Sequence, residues 1–194
     1  MIIFVSAFYI LESKFSREKY DSWVNNILPN IENFKLVLFT NKNSQFLFKK
    51  YEKNKNKKII LLEIEDFYNY KYKNNWIDNH SKNTLLNCNN KVVNEMNCHK
   101  TSWELNMLWN EKMSFVNKAY QEKYFDETEW YGWMDIGYFR GTCRGDISPN
   151  QIKTWPNNDK INKLEKEKVY YALVRRDNNY INNLFRIVND RNER

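Results

Sequence analysis

One carboxylate in this chain stands where a side chain can work on a ligand. In Trp133-Met134-Asp135-Ile136-Gly137, an aspartate follows an apolar stretch that reads as a strand and precedes a glycine. Open parallel sheets bind ligands beyond the carboxyl ends of their strands. A carboxylate there enters the crevice without the large cost of an unpaired charge in the core. Its hard oxygens suit Mg²⁺ or Mn²⁺, which can bridge to a diphosphate. Gly137 removes a side chain where a ligand or metal needs close backbone approach. The competing reading is an aspartate that caps a turn or pairs with Arg140 or Arg144. All 4 glycines of the chain (Gly132, Gly137, Gly141, Gly145) fall in this one stretch. No Walker A loop and no G-x-G-x-x-G fingerprint can therefore exist elsewhere, since both need glycines between a strand and a helix.

Other chemistry-bearing residues are less well placed. Arg140 could clamp a phosphate bidentately or pair with Asp135. Glu63, Glu65 and Asp66 close an apolar stretch and could reach the crevice, with Asp66 the best placed to meet a donor; a solvated turn explains them equally. Cys88 and the Cys98-His99 pair lack zinc-ligand spacing. His80 and His99 are the only histidines, and no nucleophile motif accompanies them.

Composition bounds the rest. The chain has 194 residues, with Lys+Arg 31 against Asp+Glu 24, a formal net charge of +7. This length suits one domain with a core large enough to fold without disulfides or structural metal. Hydrophobic residues at 42% and aromatics at 16% argue against disorder. The 31 asparagines are interrupted everywhere by apolar residues, so they form no prion-like tract. Three cysteines without C-x-x-C spacing fit a reducing, cytoplasmic setting. The apolar N-terminus, Met1 to Leu11, has no basic residues before it and reads as a buried strand rather than a signal peptide. No run approaches the length of a membrane span, so a soluble protein is expected. Positive charge gathers in Lys49, Lys50, Lys53, Lys55, Lys57 and Lys58. Such a run makes a solvated face, or a peripheral contact with an anionic surface.

The elements that must carry these residues follow from periodicity. A strand is expected over 2–9 and a helix over 16–27, with Ser16 as N-cap and Pro29 as its stop. A second strand covers 34–39. A short helix opens at Ser44 and carries Phe46, Leu47, Lys50 and Tyr51, and a third strand covers 58–64. This β-α-β-α-β order with near-continuous apolar strands predicts a parallel sheet covered by helices. Residues 66–98 read as an extended loop with at most a helical turn. One long helix is expected from about Lys100, with Trp103, Met107, Leu108, Phe115, Val116 and Ala119 on one face. A central strand follows over 129–137, a last strand over 169–174, and a helix begins near Asn183.

Several blocks resemble a known family. His99-Lys-Thr-Ser-Trp-Glu-Leu-Asn-Met-Leu-Trp-Asn-Glu-Lys112, Phe115-Val116 and Trp130-Tyr-Gly-Trp-Met-Asp-Ile-Gly-Tyr-Phe-Arg140 are similar to the HtrL/YibB (WlaTC-type) family of glycosyltransferases. Ile2 to Phe8, Val37-Leu-Phe-Thr-Asn41 and Trp155-Pro156 fit the same pattern, so the resemblance spans about residues 1–175. It implies a GT-A fold, a three-layer α/β sandwich around a mostly parallel, Rossmann-like sheet, carried by residues 1–194 as one domain. It also implies a nucleotide-sugar donor, a glycan acceptor and a divalent metal, Mn²⁺ or Mg²⁺. In that family pattern a D-x-D motif holds metal and diphosphate; this chain keeps Asp135 and has Gly137 at the second position. By position, Ser6, Ala7, Phe8 and Asn41 would line the nucleotide pocket, with Phe8 stacking on the base or simply packing in the core. Lys100 would neutralise phosphate as a point charge. Relatives continue past residue 194, so the acceptor-binding portion is expected to be cut short. Two other readings compete: a catalytically inactive glycosyltransferase-like scaffold, and a basic module that stacks nucleic-acid bases on Tyr and Trp. The second is disfavoured because the aromatics fall on expected core elements, away from the lysines.

Overall fold

The computed structural model describes residues 1–11, 16–89, 102–125, 130–139 and 147–170. The chain divides into two compact units, Met1–Lys163 and Leu164–Arg194. In the described start of the second unit, the Tyr170 hydroxyl accepts from the Glu165 N–H at 2.7 Å and Lys168 pairs with Glu165 at 2.7 Å.

The first unit is built on four parallel strands: β1 (Ile2–Ala7), β2 (Lys35–Thr40), β3 (Lys57–Leu61) and β4 (Trp130–Trp133). Their order in the sheet is β3-β2-β1-β4. The first three strands therefore step in one direction, and the fourth returns to the other side of β1. Helices cover both faces, as near-continuous apolar strands require. Strand alternation sorts the side chains: Leu36, Leu38 and Phe8 join one apolar cluster, and Val5, Val37 and Phe39 join the other. The first cluster is closed by α1 (Arg17–Ile27) through Val24 and Ile27, and Trp23 is buried on the same helix. The second is closed by α4 (Trp103–Asn110) and α5 (Lys112–Glu122), after α2 (Lys42–Gln45) and α3 (Lys73–Asn89) have intervened in the chain. Two short helices, α6 (Pro149–Lys153) and α7 (Asn158–Ile161), end the unit.

The α/β class and the parallel sheet are as expected from the sequence, and several elements differ from expectation. The short helix after β2 begins at Lys42 rather than Ser44. Asn41 caps it, its Oδ1 accepting from the Ser44 N–H at 3.0 Å, while the Ser44 hydroxyl is buried and accepts from the Ile10 N–H at 2.8 Å. The third strand ends at Leu61, because the chain leaves the ladder after Leu62 donates to Thr40 and coils into a 3₁₀ turn, Ile64–Asp66. The stretch read as an extended loop instead holds a second 3₁₀ turn, Tyr68–Tyr72, and the 17-residue helix α3. Its Asn- and Tyr-rich composition carries weak helix propensity and no clean apolar stripe, so packing supplies what propensity lacks. Trp76 supplies part of it by packing on the second cluster.

The single long helix is two, broken at Glu111. The central strand is four residues, not nine, since Ile136 and Phe139 leave the sheet direction to join the α1-side core. Val169 and Tyr170 form no strand. Residues 171–174 and the helix expected near Asn183 lie outside the described residues.

Two local features depart from common practice. Helix α5 ends on Lys123 in the left-handed conformation, φ 47°, a position that usually takes glycine. Lys57, expected on a solvated lysine face, is instead buried at the start of β3 with its ammonium unpartnered. Burial pulls its pKa from 10.5 down to about 8.

Two predictions follow from these residues. Replacing Lys123 with glycine relieves the left-handed strain and raises stability by about 0.5–1 kcal/mol in urea denaturation. For Lys57, the unfolded chain binds the proton more tightly than the folded one, so stability rises with pH between about 8 and 10.5. A shift of that size corresponds to a gain of about 3 kcal/mol. Denaturation of wild type and Lys57→Met across that window reads it as a difference that narrows as pH rises; a constant difference would show that the fold does not lower the pKa of the amine.

Candidate functional site

All four strands are parallel, so their carboxyl ends share one edge of the sheet. The strand order reverses between β1 and β4, and open parallel sheets bind their ligands outside the strand ends at such a point. Residues 6–8 leave β1 there, and Met134 and Asp135 leave β4 beside them. The Met134 N–H donates to the Val5 carbonyl at 2.9 Å, carrying the ladder one residue beyond β4.

Asp135 keeps the strand's alternation and lies on the same side as Trp133. The Trp133 indole Nε1–H donates to Asp135 Oδ1 at 2.9 Å. Lys112, the first residue of α5, places its Nζ 2.7 Å from the same oxygen. Its ammonium also lies 5.4 Å from the Trp133 ring centroid, within cation–π range. Both bonds fall on Oδ1, so Oδ2 carries no bond among the described residues. The Asp135 side chain is 63% exposed and that of Lys112 31%. A pair this open is worth no more than about 1 kcal/mol. A ligand can therefore open it at little cost, and each partner then becomes available to a new counter-ion.

Lys112 is held where it is by its neighbour. Glu111 is 2% exposed, and its carboxylate accepts from the Tyr68 N–H at 2.7 Å, the Asn69 N–H at 3.0 Å and the Asn69 side-chain amide at 2.6 Å. This inward staple interrupts the helix and starts α5 at Lys112 with its ammonium turned to Asp135.

The other expected site residues fall into distinct places. Ser6 is fully buried, and its hydroxyl has no hydrogen-bond partner among the described residues. Ala7 is half-buried at the end of β1. Of the two readings for Phe8, core packing is the one observed: its ring is buried on the α1 side, edge-on to Tyr20 at 5.3 Å and Phe48 at 5.8 Å. Asn41 is also buried, with its carbonyl committed to capping α2. Asp66 is exposed at the end of its 3₁₀ turn. Its charge, with those of Glu63 and Glu111, adds to burial in pushing the Tyr9 hydroxyl far above its ordinary value. That hydroxyl stays protonated and donates to the Leu62 carbonyl at 2.9 Å, tying the chain after β1 to the end of β3.

At Gly137 a Cβ would sit 3.0 Å from Cε3 of Trp23, so a core tryptophan of α1 makes the close approach on that side. Lys100 and Arg140 lie outside the described residues.

Lys112 and Trp133 were given no role from sequence. Period-two alternation from Trp133 to Asp135 could have paired those two. Nothing local in the sequence ties Lys112 to a residue 23 positions away. Among the described residues, no group of three or more His, Cys, Asp and Glu side chains gathers to hold a metal, and no helix is long and apolar enough to cross a membrane. The chain matches no family model, no curated protein and no solved structure.

Removing the staple tests how the site is held. Glu111→Ala strands two backbone N–H groups and one amide, and costs about 2–3 kcal/mol in urea denaturation. Glu111→Gln keeps one acceptor oxygen and loses about half of that. Equal stability of Glu111→Ala and wild type would show that the α4–α5 break does not depend on the carboxylate.

Proposed function

We propose that the chain is a glycosyltransferase of the GT-A type, moving a sugar from a nucleotide-sugar donor onto a glycan acceptor. The observation that carries this reading is Asp135, an exposed carboxylate at the crevice where a parallel sheet reverses its strand order, paired to a lysine that a ligand can draw away. The resemblance of its surrounding block to the HtrL/YibB family supports the same assignment.

Transfer breaks the bond between the sugar's anomeric carbon and the donor diphosphate, and negative charge grows on the departing phosphate. Preorganised cations are the general means of stabilising such charge. Lys112 is the cation that the described residues bring to Asp135, and in this reading its ammonium moves from carboxylate to diphosphate as the donor enters. Asp135 keeps that ammonium in the crevice beforehand, and Trp133 fixes the carboxylate through Oδ1. A divalent ion would be held by Asp135 through Oδ2, with phosphate and water as its other ligands, as Mg²⁺ and Mn²⁺ commonly accept. When bound, such an ion neutralises diphosphate charge. Lys100 and Arg140 are proposed as further phosphate contacts, and Asp66 as a contact to the donor. A cytoplasmic setting fits the unpatterned cysteines.

Isothermal titration with uridine and guanosine diphosphates, with and without Mn²⁺, tests the proposal. Wild type should bind at least one of them in the micromolar range, and Mn²⁺ should tighten binding about tenfold. Asp135→Ala should erase the gain from Mn²⁺, and Lys112→Ala should weaken metal-free binding about tenfold. If wild type binds neither nucleotide under either condition, the reading falls.

A further inference from the structure

Of the 7 tryptophans in the chain, Trp109 alone leaves more than half of its surface in solvent, at 52%. The others are buried or half-buried and held by neighbours. Trp76 donates to the Asn69 carbonyl at 3.3 Å, Trp133 to Asp135 at 2.9 Å, and Trp155 stacks on Phe4 at 4.7 Å. Trp109 joins neither apolar cluster, and its indole meets no ring, cation or hydrogen-bond partner among the described residues. Core packing therefore does not account for it. Helix propensity does not either, since exposed helical positions suit Glu, Lys or Gln better.

Its place on α4 puts this ring beside the candidate site. Glu111 separates the two helices but keeps right-handed angles, φ −79° and ψ −9°. Its N–H donates to the Met107 carbonyl at 3.0 Å, and its own carbonyl accepts from the Phe115 N–H at 3.0 Å. The winding carries through the break, so residues three and four apart remain neighbours, with Cβ atoms roughly 6 Å apart. Lys112 stands three positions after Trp109, and Met113 four. Met113 is 70% exposed, so two apolar side chains lie open next to the lysine that pairs with Asp135. Asn110 borders them and is exposed. Its side-chain amide donates to the Asn106 carbonyl at 2.9 Å, and its Oδ1 carries no bond among the described residues.

We propose that the Trp109 indole is the stacking platform for a pyranose ring of the glycan acceptor, with Met113 widening the apolar surface and Asn110 Oδ1 accepting from a sugar hydroxyl. The acceptor role rests on the glycosyltransferase reading; the sugar contact rests on the exposed ring. A pyranose has one face of C–H groups and a rim of hydroxyls, so an open aromatic face covers what is apolar while the rest stays hydrated. A nucleobase has two apolar faces, and a single open ring covers only one of them. A stable protein interface buries at least about 1,200 Å². A half-exposed indole offers on the order of 100 Å², which suits one sugar ring and falls far short of a protein partner. Its position one helical turn from Lys112 sets the stacked sugar at the margin of the site. Binding energy from a non-reacting part of a substrate there orients the reacting end.

Indole Nε1–H signals of the isotope-labelled full chain, followed by NMR, test the contact directly. The probes are methyl β-galactopyranoside and methyl β-glucopyranoside, and the Trp109 signal is the one lost in Trp109→Phe. At least one glycoside should shift that signal saturably, with a Kd of about 1–10 mM. The signals of Trp23 and Trp155 should stay in place, and glycerol at the same hydroxyl concentration should move none of them. Trp109→Ala should melt within about 2 °C of wild type, because the ring packs in neither cluster. The same variant should lose saturation transfer to the glycoside at least about fivefold. No Trp109 shift with either glycoside overturns the proposal. A larger shift with uridine than with the glycosides also overturns it, in favour of base stacking. Sedimentation with phosphatidylcholine vesicles that Trp109→Ala abolishes, without a glycoside shift, overturns it in favour of a membrane face. A glycoside shift in a protein that binds neither nucleoside diphosphate keeps the sugar contact and removes the transferase reading. Nucleotide binding without a glycoside shift keeps the transferase reading and removes this platform.

Discussion

The candidate site depends on a buried carboxylate that faces away from it. Glu111 satisfies two backbone N–H groups and an amide from the 3₁₀ turn at Tyr68–Tyr72, and a charge buried this deeply is tolerated only with such partners. Its demands break one helix into two at that residue. The break sets where α5 begins, and so which side chain occupies the first helical position beside β4. Lys112 reaches Asp135 because Glu111 cannot turn outward. Two adjacent residues of opposite charge thus do opposite work: one locks the scaffold, and the other stays free to change partners.

Aromatic packing fixes the other half of the site. The segment after Asp135 returns to the core through Ile136 and Phe139, and Trp155 holds it there. Trp155 stacks on Phe4 at 4.7 Å and meets Phe139 edge-on at 5.1 Å. The two described glycines belong to this packing. A Cβ on Gly132 would meet Phe4 at 3.0 Å, and one on Gly137 would meet Trp23 at the same distance. Dense interiors leave no slack for an added carbon against a ring. The scarcity of glycine therefore does mark the neighbourhood of Asp135, but through rings pressed against the backbone on the α1 side. The solvent-facing side of the same turn is left to Asp135.

What was legible from sequence is what depends on local pattern. Apolar runs such as Phe34 to Phe39 identified the strands, and the β-α-β order identified the parallel sheet, because one physical requirement, burial on both faces, sets both. Asp135 was legible for the same reason, as a charge ending an apolar run. The rest was set by contacts distant in sequence. The helix α3 has almost no apolar period to read. Phe8 looks the same in sequence whether it stacks on a base or on Phe48. Lys57 sits among five other lysines, and only the start of a ladder distinguishes it: it opens β3 in register with Leu36 of the α1-side core and is buried, while Lys58 beside it remains exposed.

The two edges of the sheet show opposite solutions to one electrostatic problem. At the carboxyl edge, a cation and an anion are both present and largely exposed, so each is already compensated and the pair gives way easily. At the amino edge, the Lys57 ammonium is buried with no hydrogen-bond partner among the described residues, while Lys53, Lys55 and Lys58 stay exposed to solvent. A fold does not gain from leaving a lysine in that state, since a methionine of similar volume would pack there without the desolvation cost.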